Sequence, residues 1–272
     1  MNRSNQNFEY VKYESGEWQL EASEVIVEQP VTLTVNGEPW LDLLCTPIDL
    51  EAMAVGFLFN EGVIDRREEI LDVRVCPTAD NVDVWLKHSV EKPEKWSRTS
   101  GCTGGLTSVS ERTNGGRQNA PEVTQGEITL DPDQVRRLVG ELFEVQDLYK
   151  KSGGVHTSAL SDGNAILAVA EDIGRHNTLD KLAGHCLLEA ISPRPWVLLT
   201  TGRISSEMLQ KADRIGAQVV ISRTSPSSLS IEMAEQRGIT LIGYAHRNRF
   251  KVYTHNHRLS RAVAVTTDVS ES

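Results

Sequence analysis

The second half of the chain predicts an α/β fold built on a layered, partly parallel sheet, and the chain as a whole an α+β arrangement. Two observations carry this. From about residue 155, short continuous apolar runs such as Val197-Leu198-Leu199 and Val219-Val220-Ile221 alternate with helical patterns. That is how strands buried on both faces and joined by crossover helices are written. The first third instead mixes strands with one helix, which predicts a smaller strand-rich part.

In order along the chain, strands are expected at 25–27 and 31–35, with Asn36-Gly37 as a hairpin turn. Thr46-Pro47-Ile48-Asp49 reads as a cap with proline at the first helical position. It leads into a helix with Leu50, Met53, Ala54, Phe57 and Leu58 on one apolar face and Gly62 at its end. Strands follow at 70–76 and 82–86. Residues 107–126 have no periodicity and read as a mobile linker. They divide the chain into an N-terminal part (1–106), the linker, and an α/β part (127–272).

Asp131-Pro132-Asp133-Gln134 is a capping box for a helix that turns Val135, Leu138, Val139, Leu142 and Phe143 inward. Ser152-Gly153-Gly154 stops it. Strands are then expected at 155–160 and 165–170, a helix at 174–190, a strand at 196–201 and a helix at 205–215. A strand at 218–222, a helix at 226–237 and a strand at 239–243 complete the pattern.

Composition excludes several classes. A net charge of −10 argues against general nucleic-acid binding. No run of about 18 apolar residues exists to span a bilayer, and the polar N-terminus lacks the apolar core of a signal peptide. The cysteines Cys45, Cys76, Cys102 and Cys186 are widely spaced with no CxxC pair, which suits neither a disulfide framework nor a structural zinc site. A reducing cytoplasm is the compartment this suits. One strip departs from the acidic average: residues 236–267 contain no acid, yet hold Arg237, Arg247, Arg249, Lys251, Arg258 and Arg261. Such a strip is either a solvated face or the seat of a small anionic ligand.

Cys102 lies in Arg98-Thr-Ser-Gly-Cys-Thr-Gly-Gly105, where glycines and small hydroxyl residues surround one thiol and Arg98 supplies a cation. These surroundings favour the thiolate, the nucleophilic form. The plain alternative is a turn that happens to hold a cysteine. Cys45, Cys76 and Cys186 sit in apolar surroundings and read as core.

Ligands of open α/β sheets sit beyond the carboxyl ends of the strands. The four loops expected there each carry arginine: Arg175 with His176, Arg203, Arg223, and Arg247 with Arg249 in Tyr244-Ala245-His246-Arg247-Asn248-Arg249. A guanidinium fork suits phosphate oxygens, so a phosphate-rich ligand is expected. There is no GxxxxGK[ST] run, so this is not a Walker loop. His176 and Asp180, four apart, lack a third metal ligand and read as a hydrogen-bonded polar seam, with Leu179, Leu182, Ala183, Cys186 and Leu187 on the other side. His156 is either a site residue or a strand histidine.

Together these motifs resemble the FdhD family of formate dehydrogenase accessory sulfurtransferases. The resemblance runs over residues 20–260 and rests on Thr99-Ser-Gly-Cys102, Gly153-Gly-Val-His156 and Glu171-Asp-Ile-Gly-Arg-His-Asn177 with Asp180-Lys181. Thr201-Gly-Arg203 with Ser205 and Glu207, and Gly243-Tyr244 leading to Tyr253-Thr-His255, complete it. It implies a C-terminal three-layer sheet similar to the cytidine deaminase fold and a homodimer. It further implies a sulfur carrier that takes sulfur from a cysteine desulfurase as a persulfide on Cys102. The sulfur then passes to a molybdenum cofactor carrying two guanine dinucleotides, before that cofactor enters formate dehydrogenase. On the same basis Tyr244–Arg249 matches the region that holds the cofactor, and a GDP-like moiety is expected to bind. Some members carry a second loop cysteine where this chain has Gly105, so a two-cysteine relay is not expected here.

Three rival readings stand beside this one. A zinc deaminase needs H-x-E and P-C-x-x-C runs, which are absent. A cofactor-binding chaperone without persulfide chemistry differs only in an idle Cys102. A thiol redox sensor would want a resolving cysteine nearby.

Overall fold

A computed structural model describes residues 4–93, 96–98, 106–108, 126–191 and 196–260. Cys102 and residues 109–125 of the expected linker lie outside the described residues. The chain starts with a hairpin of β1 (Asn5–Glu14) and β2 (Glu17–Ile26), paired antiparallel from Asn5↔Ile26 to Glu14↔Glu17. Only the end of β2 was legible in the sequence, because alternating charged and aromatic residues leave no apolar run.

A four-stranded sheet follows in the order β4-β3-β6-β5, from β3 (Gln29–Val35), β4 (Glu38–Cys45), β5 (Ile70–Val75) and β6 (Asn81–Leu86). Asn36 (φ 51°) and Gly37 (φ 81°) turn β3 into β4, as the sequence leads one to expect. Helix α1 (Leu50–Asn60) starts later than Pro47. Its N-cap is Asp49, in the left-handed region and without a side-chain cap, because Thr46 is committed elsewhere. The Thr46 N–H donates to Asp172 Oδ2 (3.1 Å), and its hydroxyl and carbonyl oxygens accept from Ile173 N (3.2 Å) and Lys181 Nζ (3.2 Å). Nor does α1 have a single apolar face. Ala52 through Phe59 are all buried, as a helix between two layers must be.

Two short strands, β7 (Trp96–Arg98) and β8 (Leu106–Ser108), pair antiparallel on either side of the segment that carries Cys102. The expected linker therefore gives up its first two residues to β8. Helix α2 (Pro132–Glu144) begins with the expected box: Asp131 Oδ1 accepts from Gln134 N, and Gln134 Oε1 accepts from Asp131 N, both at 2.8 Å. It ends at Glu144, well short of the glycines, which instead close a separate helix α3 (Asp147–Ser152), with Gly153 at φ 67°.

The main sheet runs β10-β9-β11-β12-β13-β14. Its members are β9 (His156–Ser161), β10 (Ile166–Asp172), β11 (Trp196–Thr200), β12 (Ala217–Ser222), β13 (Thr240–His246) and β14 (Arg249–Val252). The three strands β11, β12 and β13 are parallel, and β9 and β14 flank them antiparallel. Helix α2 covers one face, over Ala159, Val197, Leu199, Val219, Ile221 and Ile242. Helices α4 (Arg175–Leu188), α5 (Ser206–Ile215) and α6 (Ser228–Arg237) cover the other. Beyond α4 lie α1 and the four-stranded sheet, and one apolar cluster runs from Val31 and Phe57 through Leu182 to Leu198 and Val220. The N-terminal part and the α/β part thus share a core.

Candidate functional site

Strands β10, β11, β12 and β13 all end at one edge of the main sheet, and β9 begins there: Asp172 pairs with His156, and Thr200 with Ser158. This edge is where the arginine-bearing loops lie. The fourth of them differs from expectation. Tyr244 to His246 continue β13, and Arg247-Asn248 make a hairpin turn into β14, not a loop into a helix.

The start of α4 is fixed by a buried carboxylate. Asp172 is 0 % exposed and accepts from Gly174 N (2.7 Å), Asn177 Nδ2 (2.9 Å), Thr46 N (3.1 Å) and Lys181 Nζ (2.7 Å). Lys181, equally buried, also donates to the carbonyls of Glu171 (3.1 Å) and Thr46. Glu171 accepts from Leu148 N (2.7 Å), Tyr149 N (3.2 Å) and the Thr157 hydroxyl (3.1 Å), tying down the start of α3. The polar side of α4 thus faces other protein, not solvent, and the expected seam is charged: Asp180 takes Lys211 Nζ at 2.6 and 2.7 Å and Asn60 Nδ2 at 2.7 Å. Among the described residues no group of His, Cys, Asp or Glu is arranged to hold a metal.

Lys181→Ala would leave the Asp172 carboxylate buried without its counter-charge. A loss of about 3–5 kcal/mol in urea unfolding is expected, recovered in part by adding Asp172→Asn. A loss below about 1 kcal/mol would show that the pair is not what holds α4.

The arginines split into two groups. Arg175, His176 and Arg203 gather on the side of α4 and α5 around His156, whose ring nitrogen lies 3.5 Å from the Thr201 hydroxyl. Gly202 allows the approach, since a Cβ there would lie 3.0 Å from Arg175 Cβ. His176 is buried with Nε2 3.7 Å from Glu207 Oε2 and no hydrogen-bond partner. Helix α4 has Gly174 at its N-cap and no side-chain cap. Arg203 is exposed. Arg223 and Arg247 lean instead toward α2, on the other face: the Arg223 guanidinium stacks 4.1 Å from the Phe143 ring, and Arg247 lies 3.8 Å from Glu144. The Arg223 Nε is buried without a partner. Asn248 and Arg249 are exposed at the hairpin tip, whereas Ala245 is 0 % exposed, so its side chain is closed to a ligand. Tyr244, exposed and at φ 51°, is held by its N–H on Thr224 O (2.9 Å), with Lys251 Nζ 4.6 Å from its ring.

Residue types alone did not single out Glu207 and Lys251 as neighbours of these groups. Glu207 is held down to about 2 by His176 first and by the Ser205 hydroxyl (2.8 Å), against burial. Burial pushes both His156 and His176 below their usual 6.5, and Arg175 adds to the effect. Both rings are therefore neutral in the fold at neutral pH. An unfolded chain binds protons at these rings first, so their contribution to stability is present above pH 6.5 and lost as pH falls below it. Melting temperature against pH should decline from about 6.5 downward, with a shallower slope in His176→Gln. An unchanged slope would remove His176 from the account.

The thiols can be ranked from their surroundings. Cys45 is fully buried, and burial first, then Asp172, pushes it up to about 12. Cys186 is buried in the core. Cys76 follows β5 rather than lying in apolar surroundings; its sulfur donates to Asp80 Oδ1 (2.8 Å) and accepts from Asn81 N (3.1 Å). Burial closes off Cys45 and Cys186, and hydrogen bonds engage Cys76 on both sides.

Comparison with known proteins extends over the same residues. The model of the FdhD/NarQ family matches residues 26–260. The "Sulfur carrier protein FdhD" of Bacillus subtilis (strain 168) is 36% identical over 91% of this chain and 95% of its own length. The protein of that name from Staphylococcus aureus (strain MRSA252) is 33% identical over 92% and 94%. The crystal structure of a "putative formate dehydrogenase accessory protein" from Desulfotalea psychrophila superposes with a TM-score of 0.78 at 28% identity, covering 94% of this chain and 99% of its own. The matched span includes the cysteine segment, the α4 motif and the β13–β14 hairpin, and the chain belongs to the FdhD/NarQ family.

Proposed function

We propose that the chain is a sulfur carrier and sulfurtransferase. Cys102 takes sulfur from a cysteine desulfurase as a persulfide. It passes that sulfur to the bis(molybdopterin guanine dinucleotide) molybdenum cofactor, bound as acceptor substrate, before the cofactor enters formate dehydrogenase. In the loading step the Cys102 thiolate attacks the terminal sulfur of the desulfurase persulfide. One S–S bond forms, one breaks, and the desulfurase cysteine leaves as thiolate, so no outside oxidant is needed.

The observation that carries this reading is the state of the other thiols, set beside relatives named sulfur carriers: Cys45 and Cys186 are buried, and Cys76 is hydrogen-bonded on both sides. That leaves the glycine-flanked Cys102 as the thiol free to react. The acceptor half is supported by a donor set that suits phosphates: the uncapped start of α4, the buried Nε2 of His176, Arg175, Arg203 and Arg223. The exposed Arg247 and Arg249, with Asn248, Tyr244 and His246, extend it along the hairpin. No helix among the described residues is long and apolar enough to cross a membrane, and the chemistry suits a reducing compartment such as the cytoplasm.

Incubation with a desulfurase and sulfur-labelled cysteine, followed by desalting, should leave one labelled sulfur per chain. Retention of none would refute the reading. For the acceptor half, Arg203→Ala and Arg247→Ala should each weaken GDP binding by about 1.5–3 kcal/mol in calorimetry. No loss in either would take the arginine loops out of the site.

A further inference from the structure

His176, in the first turn of α4, is 4% exposed, and its Nε2 has no hydrogen-bond partner. A buried polar atom left unpaired is costly, and in a native fold it calls for a functional reason. Across from it, near the start of α5, stands Glu207, with Oε2 3.7 Å from Nε2, too far for a hydrogen bond. The Glu207 side chain is 24% exposed and is fixed by the Ser205 hydroxyl at 2.8 Å. The other charges acting on the ring are Arg175 beside it, Asp180 one turn along α4, and Lys211 on α5. His156 of β9 is a second neutral ring under the same field, with Arg175, Asp172 and Arg203 acting on it. Several of these charges are already spent. Lys211 is bound to Asp180 at 2.6 and 2.7 Å, and Lys181 to Asp172 at 2.7 Å. What remains near the uncapped start of α4 is Arg175 and Arg203 against the one carboxylate of Glu207. A phosphate monoester carries close to two negative charges above its second ionisation, at about pH 6. One more positive charge is needed to match it, and His176 stands where that charge would also cover Glu207.

We propose that a phosphate docking at the start of α4 drives a proton onto His176, which then donates from Nε2 to Glu207. The inference rests on the acceptor-site reading above and adds to it a proton that the anion brings in. Before the anion arrives, burial first, then Lys211 and Arg175, keep the ring neutral against the pull of Glu207 and Asp180. The anion offsets Arg175 and the positive end of the helix, so the balance turns toward the imidazolium. The proton comes from solvent, and no covalent bond between heavier atoms is made or broken. His176 is a positioning residue here: it acts by holding Glu207, whose carboxylate would otherwise repel the phosphate. His156 has no carboxylate of its own to share a proton with, since Asp172 is taken by Lys181. By linkage, a group that gains a proton on binding makes binding weaken as pH rises.

The test uses GDP as probe and the full chain. Titration calorimetry at pH 7, in buffers of different ionisation enthalpy, counts the protons taken up. The wild type should take up at least about half a proton, and should bind about tenfold more weakly at pH 9 than at pH 7. His176→Gln should take up none and bind equally at both pH values. Glu207→Gln removes the repelling charge outright, so at pH 9 it should bind about tenfold more tightly than the wild type, again without uptake. A merely structural role for Glu207 would give weaker binding instead, and that result overturns the proposal even if His176→Gln does not fold. Wild-type binding without proton uptake overturns it too, while leaving the acceptor site in place. So does an uptake that survives in His176→Gln or is lost in His156→Gln. Wild-type protein that does not bind GDP at all removes the acceptor-site reading and this inference with it.

Discussion

Gly184→Ala is expected to destabilise the protein by about 3 kcal/mol or more, and Gly56→Ala by a similar amount. These glycines let α1 and α4 meet backbone to backbone. A Cβ on Gly184 would lie 2.6 Å from Ala52 Cα and closer still to Ala52 O; a Cβ on Gly56 would lie 2.6 Å from Gly184 N and closer still to Asp180 O. The obstacle in both cases is main chain, which has no rotamer to change, so the helices must part. Parting them strains the contact through which the N-terminal sheet shares a core with the α/β part. It also pulls on Asp172 and Lys181, which hold Thr46 and the start of α4. Urea unfolding reads the loss. Gly140→Ala in α2 is the control, because a Cβ there meets nothing within 4 Å and alanine should add about 0.5–1 kcal/mol of helix stability. A Gly184→Ala loss under about 1 kcal/mol would mean that the helices separate easily.

The second large effect concerns chemistry. Cys102→Ala should abolish sulfur delivery to the cofactor while leaving GDP binding and the urea midpoint where they were. Alanine at Cys45, Cys76 or Cys186 should leave delivery in place. The contrast follows from the thiols themselves. A sulfur that burial holds at about 12, as at Cys45, is almost wholly protonated at neutral pH and cannot attack a persulfide. Cys45→Ala should instead cost stability, because it opens a small cavity in a fully buried position. Delivery that persists in Cys102→Ala, or that fails in Cys76→Ala, would move the carrier role to another residue.

Much of the α/β part was legible because strands covered on both faces are written as short apolar runs. Val197-Leu198-Leu199 and Val219-Val220-Ile221 became the buried centres of β11 and β12. The Asp131–Gln134 box and the Asn36-Gly37 turn were legible because their chemistry is local. What depended on distant partners was not. Thr46 looked like a helix cap until Asp172, far along the chain, claimed it. The polar side of α4 read as a hydrogen-bonded seam, but that the seam is charged shows only in the fold, which brings Lys211 to Asp180. The four arginine-bearing loops were rightly expected at one edge, but the face each arginine leans toward depends on α2 and α5, so one cluster was expected and two formed. Strand β14 escaped notice because Arg249-Phe250-Lys251-Val252 is short and half charged. Most of the hairpin β1–β2 escaped because its apolar residues face solvent.

The central claim is that one thiol carries the sulfur, and peptide mass spectrometry tests it most directly. The chain is incubated with a cysteine desulfurase and cysteine, digested without reductant, and compared with Cys102→Ala. The wild-type peptide containing Cys102 should be heavier by one sulfur, with the peptides of Cys45, Cys76 and Cys186 unchanged. The variant should carry no added sulfur on any peptide. An added sulfur on another cysteine of the wild type, or one that survives in Cys102→Ala, would contradict the account.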